Sequence, residues 1–167
     1  GTLAETLRDE PVGELDEPGP PQVAASGPRC AAHALEYELL LEMILEGSRL
    51  HYGSPRLVDC PDRDLALLLG DQLYAMGLLR LASLGDLDAV AELADVISLV
   101  AQAHAGSNPE LGEVVWHAGA LAIAYGASEG HRAAKALARS EPSAAASAIR
   151  EAALAYTNGG SLPRRRS

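Results

Sequence analysis

Apolar residues at helical spacing run through most of this chain, and no segment has the alternation of a β-strand. The stretch LALLLGDQLYAMGLLRLASLGD, residues 65 to 86, keeps the helical period throughout, yet it contains Gly70 and Asp71. Glycine costs about 1 kcal/mol relative to alanine inside a helix, and an acid there needs a partner or water. The pair therefore indicates a close helix contact, a functional site or the remnant of one.

The same periodicity, with its start and stop signals, predicts an all-α bundle of five to six helices. Asp86 is the expected N-cap of the third helix, which a minimal loop joins to the second, so these two should form an antiparallel hairpin. The fourth helix is apolar or small on nearly every face, which is typical of a helix at the centre of a bundle. The predicted helices cover residues 29–53, 61–84, 87–106, 111–126, 129–139 and 143–156.

Composition divides the chain into three parts. Residues 1–28 are acidic and rich in proline and glycine, which predicts a flexible arm whose Leu3 to Leu7 piece could form one helical turn on a partner. Residues 29–157 form the predicted bundle domain. Residues 158–167 are a predicted basic tail, in which Arg164-Arg165-Arg166 could touch anionic lipid at a membrane surface.

Charge and cysteine content limit the classes of function. A net charge of −10 argues against nucleic-acid binding, which depends on clustered basic residues. Cys30 and Cys60 lack metal or disulfide-scaffold spacing, so we expect reduced thiols in a cytoplasmic protein. The sequence has no uninterrupted apolar run of about 18 residues, so we predict no transmembrane segment.

Three segments resemble the trans-isoprenyl diphosphate synthase superfamily. Residues 65–97 contain, in the family's order, Gly70-Asp71, Tyr74-Ala75, a leucine-rich run at 78–82 and Gly85-Asp86. EMILEGSRLHYG resembles an upstream segment, with His51 at the place of the family's histidine, and GEVVWHAGALAIAYGASEGHRAAK resembles a downstream one. The resemblance implies an isoprenoid-synthase-like helical bundle over roughly residues 35 to 135.

The chain departs from the family where the catalytic metal would bind. The family's histidine precedes an aspartate-rich motif that holds magnesium against a diphosphate. Here Tyr52-Gly53-Ser54-Pro55 follows His51, and Arg56 and Arg63 stand alone. The second aspartate-rich motif is also absent. The resemblance therefore points to the non-catalytic small subunit, component one, of heptaprenyl diphosphate synthases, which would associate with a protein partner or form a homo-oligomer.

Two other functions remain open. The same bundle could be a carrier or scaffold that binds an isoprenoid lipid or a quinone for a membrane-associated system. It could also be a divergent enzyme in which Asp59, Asp62 and Asp64 hold magnesium, although acids at a helix start are expected for capping alone.

Small residues on the second and fourth helices could either bring backbones together or leave a groove for a prenyl chain. The groove hypothesis uses Tyr74, Ala75, Gly77, Trp116, Gly119, Ala120 and Ala124.

The packing hypothesis concerns Gly70, where a neighbouring helix would approach closely, and Asp71, which would accept a hydrogen bond from His51 or an arginine. The alternative is that Gly70 is merely tolerated and Asp71 faces water. The histidines have no metal-binding spacing, so we expect surface or hydrogen-bonded roles for them. They are His33, His51, His104, His117 and His131.

Overall fold

The computed structural model describes residues 17–158, and this part of the chain contains α-helices and no β-strand. The all-α prediction is confirmed. A 3-10 turn, Pro28–His33, lies between the first two α-helices. The α-helices are α1 Pro20–Ala25, α2 Ala34–Tyr52, α3 Arg63–Ser83, α4 Leu87–Ala105, α5 Pro109–Tyr125, α6 Glu129–Ser140 and α7 Pro142–Asn158.

Side-chain caps define where four of the helices begin. In each case the side-chain oxygen accepts a hydrogen bond from the backbone N–H three residues later, which satisfies a donor that the first helical turn leaves free. The predicted cap at Asp86 is confirmed. The caps are Asp62 of α3, Asp86 of α4, Asn108 of α5 and Ser128 of α6.

The predicted flexible arm, residues 1–28, overlaps the folded domain. Residues 1–16, including the Leu3 to Leu7 piece, lie outside the described residues. Residues 20–25 form α1, which packs against α2 and α5 and buries Pro21 and Ala24. The prediction is wrong for this part. Proline and alanine give a weak hydrophobic signal, but their small size lets α1 fit closely over its neighbours. Of the predicted basic tail, only Asn158 is described, and it ends α7.

Helix α5 is at the centre of the fold, as its sequence predicts. It packs against α1, α4 and α7, and most of its side chains are buried, Trp116 among them. Alanine and glycine on this helix allow three neighbours to approach it at short distance.

Helix α3 lies at the edge and packs mainly along α2. We predicted an antiparallel hairpin of α3 with α4, but these helices touch over a short stretch only, and α4 packs along α5 instead. By length and composition α3 is the one described helix apolar enough to cross a membrane, and most of its side chains are exposed. A single such helix is not a clear transmembrane segment.

Candidate functional site

Helices α2 and α3 are in backbone contact at Gly47 and Gly70. A Cβ atom added to Gly70 would lie 2.9 Å from the Gly47 carbonyl oxygen and 2.7 Å from Cδ2 of His51. A Cβ on Gly47 would lie 2.9 Å from the Gly70 carbonyl oxygen. Neither position has room for a side chain, so Gly70 lies at a close helix contact.

His51 and Asp71 meet beside this contact. Nε2 of His51 lies 2.9 Å from Oδ1 of Asp71, although the angle does not give a hydrogen bond. The Asp71 side chain is 70% exposed, so it faces water while touching the imidazole. The His51 ring stacks on Tyr74 with the centroids 5.3 Å apart, and burial raises the pKa of Tyr74 to about 12.

The residues of the predicted prenyl groove are not brought together. Helices α3 and α5 do not pack along each other, and Ala75 points to solvent. A Cβ on Gly77 would lie 2.5 Å from Cγ1 of Ile44 in α2, and one on Gly119 would lie 2.5 Å from Cγ2 of Val96 in α4. The predicted channel between α3 and α5 is therefore not formed, because the small residues admit other neighbours.

The remaining members of that predicted set belong to the core. Trp116 and Ala120 are buried in α5, and Ala124 is covered by Gly27, where any side chain would overlap it. Tyr74 packs against the core from the side of α3, with its hydroxyl buried and lacking a hydrogen-bond partner among the described residues.

The three aspartates of the magnesium hypothesis are exposed. Asp62 accepts a hydrogen bond from Leu65 N–H at 3.0 Å and so caps α3, while Asp59 and Asp64 face solvent. Within residues 17–158, no three histidine, cysteine or acidic side chains are grouped closely enough to hold a metal ion.

A different acid, Glu46, organises the loop between α2 and α3. Its side chain is 1% exposed. Oε1 accepts hydrogen bonds from the backbone N–H groups of Arg56, Leu57 and Val58 at 2.8, 2.7 and 3.2 Å. Oε2 accepts one from Arg49 at 3.2 Å.

Burial by itself would raise the pKa of Glu46. The N–H groups of Leu57 and Val58, with the Arg49 guanidinium, favour the ionised form more strongly, so the pKa lies below its usual value. Sequence reasoning missed this residue, although an acid between Ile44 and Leu50 on the apolar face of α2 was the available signal.

Asp86 connects four parts of the fold. It accepts hydrogen bonds from the Tyr37 hydroxyl at 2.5 Å, from Arg29 at 3.0 Å and from the Ala89 N–H at 3.0 Å. Arg29 also donates to the Ile123 carbonyl oxygen at 2.7 Å. Burial raises the pKa of Asp86, but the Tyr37 hydroxyl, the Ala89 N–H and Arg29 lower it by more, so this carboxylate stays ionised.

The nearby Cys30 thiol is buried and forms no disulfide. Burial raises its pKa to about 11, which keeps it protonated and unreactive.

Charged side chains join α4 to α6. One carboxylate oxygen of Glu92 accepts a hydrogen bond from Lys135 at 2.7 Å, and the other accepts one from His131 at 2.7 Å. All three residues are buried. Lys135 also contacts Asp95 at 2.7 Å, and Arg139 donates to Asp95. The three basic residues, which are four positions apart on α6, thus face two acids that are three positions apart on α4. The basic residues are His131, Lys135 and Arg139, and the acids are Glu92 and Asp95. Because the loss of one partner would leave a buried charge unpaired, these contacts hold α4 against α6.

The outer face of α3 remains uncovered in the described structure. We define this outer face by Leu65, Leu68, Met76 and Leu79, whose exposed fractions are 49%, 66%, 47% and 70%. The opposite side of the helix buries Ala66, Gly70, Gly77 and Leu81 against the domain. Helix α3 is therefore apolar on two sides and buries one of them.

A shallow groove lies between α5 and α7. It has a volume of about 360 Å³ and a mostly apolar lining that includes Val114, Ala153 and Leu154, and His117 and Arg150 also line it. His117, the histidine beside Trp116, is exposed there.

Comparisons of the chain with protein families, with curated proteins and with solved structures give no match.

Proposed function

We propose that this chain is a non-catalytic, isoprenoid-synthase-like helical subunit that acts in the cytoplasm by associating with another protein chain. The observation that carries the proposal is the exposed outer face of α3. Contiguous apolar surface of this kind is typical of protein interfaces, since fully burying a leucine or methionine side chain contributes about 1.5–3 kcal/mol.

Two further features support an assembly role over catalysis. Where the family resemblance requires magnesium-binding aspartates after His51, the sequence reads Tyr52-Gly53-Ser54-Pro55. The two buried carboxylates have structural roles. Glu46 binds the backbone of the loop between α2 and α3, and Glu92 joins α4 to α6.

The test is the association state measured by native mass spectrometry. We expect the wild-type chain to form a complex heavier than its 17.4 kDa monomer. Leu68→Glu places a charge on the outer face and should leave monomers. Leu154→Glu changes an exposed leucine of α7 and should leave the complex intact, so it is the matched control. A wild-type chain that is monomeric at every concentration, and that retains no partner protein when it is purified from its own cells, would contradict the proposal.

A second candidate function, binding of a prenyl lipid or quinone, is favoured by the groove between α5 and α7. Its volume of about 360 Å³ is within the range of small-molecule sites, and Arg150 lies beside the apolar lining. The probe is a water-soluble short-chain quinone, detected as added mass on the folded chain. Ala153→Trp should fill the groove and remove the added mass, whereas Ala155→Trp changes an exposed position and should not.

A further inference from the structure

A cleft lies between α4 and α6, on the side of the bundle where α5 ends. It has a volume of about 340 Å³, which is within the range of small-molecule sites. Alanine and glycine form its apolar surface, and their small size leaves the space open. These residues are Ala91 of α4, Ala122 of α5, and Gly126 and Ala127 of the loop before α6.

Charged side chains of both signs line the rest of the cleft. Four cations and three carboxylates reach it, although the whole chain has a net charge of −10. A cleft with nearly equal numbers of acids and bases does not select a ligand that carries only one sign of charge. The cations are Arg29, Arg132, Lys135 and Arg139, and the carboxylates are Asp88, Glu92 and Asp95.

Ion pairs between α4 and α6 occupy several of these groups. Lys135 contacts Glu92 and Asp95, both at 2.7 Å. Arg139 contacts the other carboxylate oxygen of Asp95. These four side chains therefore bind one another across the cleft and need no ligand.

Asp88 and Arg132 are the charged groups of the cleft that lack a close partner in the described chain. Asp88 is 96% exposed, and the cation that reaches it, Arg29, lies 4.0 Å away, which is longer than a hydrogen bond. Arg29 instead binds Asp86 at 3.0 Å. Arg132 is exposed and makes no ion pair and no side-chain hydrogen bond within residues 17–158. One acid and one base are thus available to a ligand.

The two available groups lie near each other. His131 of α6 binds Glu92 of α4 at 2.7 Å, which fixes the position of one helix against the other. Arg132 is the next residue of α6, and Asp88 lies about one helical turn before Glu92 on α4. The long Arg132 side chain and the Asp88 carboxylate can therefore bind neighbouring groups of one small ligand.

We propose that this cleft binds a small α-amino acid as its zwitterion, with the ligand carboxylate on Arg132 and the ligand ammonium on Asp88. A carboxylate accepts two parallel hydrogen bonds from a guanidinium, and an ammonium donates to a carboxylate. A ligand with a negative charge alone would be repelled by Asp88, and one with a positive charge alone would be repelled by Arg132 and Arg29. The aliphatic part of the ligand would cover Ala91 and Ala122. This site is separate from the outer face of α3, so the inference goes beyond the proposed assembly function.

Matched ligands test the two charges separately. The probe is L-valine, and its analogues are isovalerate, which lacks the ammonium, and isobutylamine, which lacks the carboxylate. Binding to the ¹⁵N-labelled full chain is followed by the amide chemical shifts of Gly126, Ala127 and Arg132. We expect saturable shifts with L-valine and an affinity at least tenfold weaker for each analogue.

Substitutions test the two side chains. Arg132→Met and Asp88→Asn should each weaken L-valine binding at least tenfold, and because both positions are exposed the fold should be retained. The matched controls are Arg56→Met and Asp59→Asn. They make the same changes at exposed positions of the loop between α2 and α3, and they should leave the binding unchanged.

Filling the cleft tests its location. Ala91→Leu places a larger side chain in the cleft and should abolish the binding, whereas Ala94→Leu changes an exposed position of α4 outside the cleft and should not.

Each contrary outcome overturns the inference. Isovalerate that binds as tightly as L-valine makes the cleft an anion site, and isobutylamine that does so makes it a cation site. Shifts that persist in Arg132→Met or Ala91→Leu place L-valine elsewhere, and the lack of a saturable shift leaves the cleft to water alone. The association state of the chain is measured independently of all four results, so the proposed assembly function stands or falls separately.

Discussion

Gly47 of α2 and Gly70 of α3 face each other so closely that a Cβ atom on either would lie 2.9 Å from the carbonyl oxygen of the other. Real Cβ atoms almost never approach another atom within 3.0 Å, and a Cβ on Gly70 would meet both the Gly47 carbonyl oxygen and the His51 ring at such distances. The low helix propensity of glycine is therefore offset by the packing that its missing side chain permits.

Gly70→Ala should destabilise the fold. The substitution improves intrinsic helix propensity by about 1 kcal/mol, but it forces α2 and α3 apart, and overpacking of this kind costs about 1–3 kcal/mol. We expect a net loss in the free energy of unfolding, measured by urea denaturation. Gly130→Ala is the matched control, since its Cβ would have only Ser128 Oγ within 4.0 Å and should be neutral or stabilising. Equal effects of the two substitutions would contradict the close-contact explanation.

Glu46→Gln should loosen the loop that follows α2. The carboxylate accepts three backbone hydrogen bonds and one from Arg49, and an amide retains only part of this capacity. Hydrogen bonds to a charged group contribute about 1.5–3 kcal/mol, so we expect a loss of about 2 kcal/mol at neutral pH. Faster amide hydrogen exchange at Leu57 and Val58 should accompany it. Glu42→Gln, a change in the half-exposed acid that also contacts Arg49, should cost less.

The contribution of Glu46 should depend on pH in one direction. Its pKa in the folded protein is below the unfolded value of about 4.3. The stabilisation is therefore present above that value and is lost as the pH falls through the folded pKa. The difference in unfolding free energy between wild type and Glu46→Gln should be constant near neutrality and shrink below about pH 4. A difference that grows in acid would contradict this assignment.

Lys135→Met should strongly destabilise the contact between α4 and α6. It removes the cation between Glu92 and Asp95 and leaves the buried Glu92 carboxylate with His131 as its remaining partner. Removing one member of a buried ion pair costs about 3–5 kcal/mol.

Arg139→Met is the matched control for Lys135→Met. Its side chain is about half exposed, so the loss of its contact with Asp95 should cost less than about 1 kcal/mol. In a double-mutant cycle, Glu92→Gln with Lys135→Met should cost less than the sum of the two single changes.

Thermal stability should depend on concentration if the chain associates through the outer face of α3. Association that favours the folded state raises Tm as the protein concentration rises. We expect this rise for the wild-type chain and for Leu154→Glu, and its loss in Leu68→Glu. At the lowest concentrations the three proteins should unfold at similar temperatures, because both leucines are exposed in the monomer.

The sequence by itself determined the features that depend on neighbours along the chain. Helical periodicity predicted the class of fold, Asp86 was recognised as a cap, and the uniform apolarity of α5 predicted its central position. These signals involve residues within a few positions of one another, so they can be recognised without the tertiary structure.

The tertiary structure alone decided which helix faces meet. It placed α1 in the core, paired α3 with α2, and filled the positions around Gly77 and Gly119 with Ile44 and Val96, where a groove was predicted. It also grouped Glu92 with His131 and Lys135, which look like ordinary surface charges in the sequence. The physical reason is that a small residue or a long charged side chain does not indicate, from the sequence, which neighbouring helix it will contact. Their partners depend on how all the apolar faces are buried together.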